Sequence, residues 1–122
     1  MLDIAVQAVV QDVGIDQPPA TPAVGEAWAV GVAPGGAWAG HAGALAGWTP
    51  GGWRFVPARE GTAAWCVAAG RMARHRDGAW RLDPRAAAIA APAGGATVDG
   101  EARAAIGAIL AALRAAGWVA PA

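Results

Sequence analysis

Two stretches of this chain follow one pattern, Gly-x-Trp-Arg-apolar-x-Pro: Gly51-Gly52-Trp53-Arg54-Phe55-Val56-Pro57 and Gly78-Ala79-Trp80-Arg81-Leu82-Asp83-Pro84, with Gly36-Ala37-Trp38 as a fainter third copy. Each copy sets a Trp directly behind a tight turn, where a strand starts. In the two full copies the closing proline, which has no N–H to give a ladder, ends the strand within a few residues. The chain is thereby committed to short strands and tight turns. Asp77-Gly78 is a two-residue hairpin signal, because both residues accept the positive φ that matches strand twist. Thr49-Pro50-Gly51-Gly52 does the same between strands expected at 44–48 and 53–56. Residues 4–13 (IAVQAVVQDV) alternate in part and read as a strand, with a helix as the alternative. Three prolines between Pro18 and Pro22 force an extended connector. Residues 27–32 supply a further short strand, ended by Gly35-Gly36.

From 84 to 97 (PRAAAIAAPAGGAT) the chain turns to Ala, Pro and Gly, which reads as a linker with at most one helical turn. Beyond it Asp99 is placed to cap a helix, Glu101 suits its first turn, and Gly117 stands where a C′ residue would. Ile106, Ile109, Leu110 and Leu113 fall at i, i+3, i+4 and i+7 and form one apolar stripe flanked by Ala. Such a helix is about 18 residues and 27 Å long. It is not stable in water without a partner for that stripe, whether the hairpins of its own chain or copies of itself. The expected fold is mainly β, made of short Trp-rich antiparallel hairpins, with a C-terminal α-helix, α+β overall. The parts are a β domain at 1–84, a linker at 85–97 and a helix at 98–122, the last an oligomerisation or docking element with Ile106, Ile109, Leu110 and Leu113 at the interface.

Composition now matters. Of 122 residues, 36 are Ala, 18 Gly and 9 Pro, so the apparent hydrophobicity of 56% conceals a thin supply of large side chains. A single small domain so built is marginal alone, which favours a homo-oligomer. Ser, Asn, Tyr and Lys are absent, which removes serine nucleophiles and lysine Schiff bases. The formal charge is zero, which argues against nucleic-acid or anionic-membrane partners. Charge is nonetheless uneven: 1–30 carries four acids and no cation, while 71–85 carries Arg71, Arg74, Arg76, Arg81 and Arg85. That Arg-rich hairpin reads as a solvated face or, alternatively, as a dock for an acidic protein surface. The start Met-Leu-Asp-Ile lacks a basic region and predicts no signal peptide, and no stretch suits membrane insertion.

Catalytic constellations are weak. Cys66 lies in the apolar run Ala63-Ala64-Trp65-Cys66-Val67-Ala68, where a thiol stays inert, and nothing at fixed spacing joins it to His41 or His75. Two histidines without acids at ligand spacing make a poor metal site. Glu26, Glu60 and Asp77 offer no defined carboxylate pair. The Gly-rich runs do not lead into helix N-termini and fail as phosphate cradles. No enzyme, cofactor, catalytic residue or metal is expected. The seven Trp are the main signal. They serve either as core and subunit anchors or, for Trp38, Trp48 and Trp53 with His41 and Arg54 beside them, as platforms for a host glycan.

The runs VVQDVGIDQPPATPAVGEAWAVG, GAWAGHAGALAGW, GGWRFVPAREG and DGAWRL resemble a domain of unknown function found in tail-fibre and head-spike proteins of tailed phages and of alphaproteobacterial gene transfer agents. GGATVDGEARAAIGAILAALRAAG is similar to short helical ends of phage fibre proteins. Members of that family carry a helical lead-in before the first strand, whereas this chain begins almost at the strand and stops soon after the helix. The resemblance therefore implies a virion structural protein made in the bacterial cytoplasm: an oligomeric base or connector of a host-attachment spike or fibre. Its partners would be capsid or tail proteins and a fibre or spike protein. A small carbohydrate-binding module for host surface polysaccharide is the alternative.

Overall fold

The computed structural model describes residues 8–122. The chain divides into two compact units, Met1–Asp83 and Pro84–Ala122. Among the described residues, eight short strands build the first: β1 (Val9–Val10), β2 (Val13–Ile15), β3 (Ala27–Val30), β4 (Leu45–Thr49), β5 (Gly52–Val56), β6 (Ala63–Cys66), β7 (Arg71–Arg76) and β8 (Ala79–Leu82). They form two four-stranded sheets, ordered β1-β6-β7-β8 and β2-β3-β4-β5. The part of the expected strand at 4–7 lies outside the described residues.

The turn chemistry fixes the hairpins. Asp77 and Gly78 both take positive φ, 52° and 78°, and the register pairs Arg76 with Ala79 directly across them. Thr49 pairs with Gly52 across Pro50-Gly51, Gly52 adopts φ 102°, and Thr49 Oγ1 donates to the Gly52 carbonyl at 2.8 Å. The mainly β fold with short antiparallel hairpins is as expected, and the sheets are mixed: four of the six strand pairings among the described residues are antiparallel, and two are parallel, β1 with β6 and β2 with β3. The cause is a sheet switch. Within 8–15 the backbone bonds first to β6, through Trp65 N to Ala8 O and Val67 N to Val10 O, and then to β3, through Gln11 N to Ala27 O and Ala29 N to Asp12 O. Asp12 Oδ1 accepts from Val13 N at 2.8 Å and holds the crossing point.

The inner faces meet in a core of small residues: Ala8, Val10, Ala64, Cys66, Ala73 and Trp80 on one side, Ala27, Ala29 and Leu45 on the other. Trp80 fills what the alanines leave, and its Nε1 donates to the Gly43 carbonyl at 2.8 Å. A second cluster lies on the far side of the β2-β3-β4-β5 sheet, because strand alternation sends Trp28, Val30, Ala46, Trp53 and Phe55 there. It is closed by the connection 31–43, whose ends meet through Gly43 N to Gly31 O at 3.1 Å. Gly36–Trp38 form a 3-10 turn in this loop, so Trp38 does not begin a strand as the repeat suggested; it drops into the cluster with no exposed surface. Gly31 is required where the loop leaves β3, since a Cβ there would lie 2.1 Å from Asp16 Oδ1 and 2.9 Å from Gly14 O.

The second unit contains one helix, α1 (Gly100–Ala115). Asp99 caps it by accepting from Ala102 N at 2.9 Å, Glu101 lies in the first turn, and Gly117 takes φ 76° just past the end. The segment before it has no helical turn: it is irregular, and Ala86 forms a parallel bridge with Val119. Arg103 and Arg114 reach from the helix to the carbonyls of Gly94 and Ile89 in that segment.

Candidate functional site

Three surfaces are built from these elements. The first is the aromatic face of the β2-β3-β4-β5 sheet. Trp48 and Trp53 sit opposite each other in the β4-β5 ladder, with ring centres 5.0 Å apart at 63°, and both are half-buried. Trp53 in turn meets Trp38 at 5.2 Å and Trp28 at 5.7 Å, both edge-on, the geometry that indole quadrupoles favour. His41, exposed at the end of the loop, lies flat on Phe55 at 3.6 Å and 3°. Of the five residues put forward for glycan contact, the fold brings Trp48, Trp53 and His41 to this face. Trp38 lies beneath it, fully buried, with its indole N–H unpaired, and presents no ring face to a ligand. Arg54 alternates away from Trp53 and Phe55, and its guanidinium bonds the carbonyls of Trp53 at 3.0 Å and Gly51 at 3.4 Å.

The second surface is the helix. Of the stripe Ile106, Ile109, Leu110 and Leu113, only Leu110 is buried; Leu113 is half-buried, and Ile106 and Ile109 are 44% and 59% exposed. Ala102, Ile109 and Ala116 recur every seven residues, as do Ala105 with Ala112 and Ile106 with Leu113, so the uncovered side is an uncharged face at coiled-coil spacing. Ile89, Val98 and the 70%-exposed Trp118 belong to the same unit.

The third surface was hidden in the sequence. Trp65 shares one apolar run with Cys66, yet Ala64 and Cys66 are buried while Trp65 between them is 40% exposed. A strict alternation count across 63–66 is the signal that separates them. Cys66 itself is buried, with Sγ 3.9 Å from Asp12 Oδ1. His75 packs edge-on against Trp80 at 5.7 Å, while His41 stacks on Phe55 of the other sheet. Among the described residues, no three His, Cys, Asp or Glu side chains gather into a metal-holding group, and no helix is long and apolar enough to cross a membrane.

A two-sheet β domain joined to a separate helical unit, with aromatic and aliphatic side chains left open to solvent, is the class these features define. The chain belongs to the family described as protein of unknown function (DUF2793), whose model matches residues 1–81, nearly the whole of the first unit. No curated protein and no solved structure matches the chain.

Proposed function

We propose that this protein is a non-enzymatic structural component of a phage-like particle, a phage or a gene transfer agent, serving as an oligomeric base or connector for a host-attachment spike or fibre. The observation that carries the assembly part is the uncovered, uncharged face of α1 around Ile106 and Ile109, in a unit that also exposes Ile89, Val98 and Trp118. Apolar surface of this kind is stabilised by association, and Ala at the heptad positions lets helix backbones approach closely. The virion part is supported by the resemblance of GAWAGHAGALAGW and GGWRFVPAREG to fibre and spike proteins. Light scattering of the purified chain at micromolar concentration tests the first part. A defined oligomer that Ile106→Asp with Ile109→Asp converts to monomer is expected; a monomer unaffected by the substitutions removes it. Mass spectrometry of purified particles from the producing cells tests the second, and absence of this chain from them removes it.

A second reading, a module for host surface polysaccharide, is favoured by one observation: Trp48, Trp53 and His41 share a face. Tryptophan fluorescence titrated with the host polysaccharide checks it, and no shift at millimolar sugar tells against it.

A further inference from the structure

The outer face of the β1-β6-β7-β8 sheet carries a pattern that neither reading above uses. Because Ala64 and Ala73 face the core as a pair, their neighbours Trp65 and Met72 pair on the opposite side, and Val9 stands across from Trp65 on β1. This makes an apolar row across three strands, with Val9 48% and Trp65 40% exposed. Two residues further along β7 the character changes. Arg74 stands directly opposite Arg81 on β8, and Arg76 follows on the same side. Like charges directly opposed weaken a ladder. Asp83 relieves only one of them, accepting from Arg74 Nε on both carboxylate oxygens at 3.0 Å. Arg81 makes no ion pair among the described residues, and Arg76 Nε is buried without a protein acceptor. Cations are thus concentrated beside an open Trp, at a cost that an incoming anion offsets. Trp, Met and Arg are also the side chains that carry protein interfaces.

We propose that this face docks an extended acidic peptide segment of a partner protein, its apolar side chain seated on Trp65 and Met72 and its carboxylates on the arginines. The spacing sets the motif. Met72, Arg74 and Arg76 alternate along one strand, about 6.8 Å apart, and an extended peptide presents residues i, i+2 and i+4 at the same interval. An apolar residue followed by acids two and four positions later therefore places each group over its counterpart. The planar guanidinium forks of Arg74, Arg76 and Arg81 suit carboxylates, which they hold in paired hydrogen bonds.

The probe is a fluorescently labelled Gly-Leu-Gly-Glu-Gly-Glu-Gly peptide, titrated with the full-length chain and followed by anisotropy, beside its Lys-for-Glu counterpart and polygalacturonate. The acidic peptide is expected to bind, to weaken as salt rises, and to lose about tenfold or more in affinity with Trp65→Ala and with Arg81→Glu. Arg81→Lys is expected to retain part of the binding. Cooperative thermal melts, with midpoints above the assay temperature, establish that these variants are folded. No binding at millimolar chain, equal binding of the Lys peptide, or indifference to Trp65→Ala overturns the proposal. Binding of polygalacturonate in place of the peptide also overturns it and makes the face a glycan platform. Ile109→Asp, aimed at assembly, is expected to leave peptide affinity unchanged. Loss there would merge the two surfaces and end the claim of a separate dock, whereas a monomeric parent that still binds the peptide would end only the assembly reading.

Discussion

The two sheets of the first unit have outer faces that are treated in opposite ways. On β2-β3-β4-β5 the outward aromatics Trp28 and Trp53 are roofed by the loop 31–43, which inserts Trp38 among them. On β1-β6-β7-β8 the outward Trp65 has no such roof and stays 40% exposed beside a row of arginines. Connection length accounts for the difference. The link between β3 and β4 spans residues 31–44, enough chain to return across a sheet, whereas β6 and β7 are joined by 67–70 alone and β7 and β8 by Asp77-Gly78. One indole is buried and another is left open to solvent, within one domain.

That contrast can be broken by substitution. Trp38→Ala should cost the most, about 3–5 kcal/mol, because it empties a fully buried site and unroofs Trp28 and Trp53; urea denaturation followed by far-UV circular dichroism measures it. A loss below about 1 kcal/mol would mean that the loop is not a roof. Gly31→Ala should cost about 1–3 kcal/mol in the same experiment, since its Cβ meets Asp16 Oδ1 and the Gly14 carbonyl. Asp99→Ala, in the second unit, should lose about 1 kcal/mol with a fall in helical ellipticity, as the Ala102 N–H loses its acceptor. Trp65→Ala should change stability least, by about 1 kcal/mol or less. If it proved as costly as Trp38→Ala, the two faces would be equivalent and the open one would no longer read as a surface held for a partner.

What the sequence disclosed and concealed divides by distance along the chain. Asp77-Gly78, the Thr49–Gly52 turn and the Asp99 cap are decided by residues within four positions, and each forms as its local chemistry requires. The parallel pairings join Val9 to Trp65 and Val13 to Ala29, and no local pattern encodes which of these the segment 8–15 will meet. The place of Trp38 is likewise set at a distance. Gly36-Ala37-Trp38 imitates the start of a strand, but the bond between Gly43 and Gly31 turns it into a roof. Among candidate site residues, period-two counting would have separated Arg54 from Trp53 and exposed Trp65. Which half of the α1 stripe is left uncovered depends on how the segment 86–95 is tied to the helix through Arg103 and Arg114, a choice made by the tertiary structure.

The sheet switch at Gln11-Asp12 has a mechanical consequence. One uninterrupted length of backbone is stitched to β6 at its first half and to β3 at its second, running parallel to both. Tension along this segment acts across its hydrogen bonds to β6 and to β3 in shear, whereas a hairpin pulled open at its ends breaks its bonds one at a time.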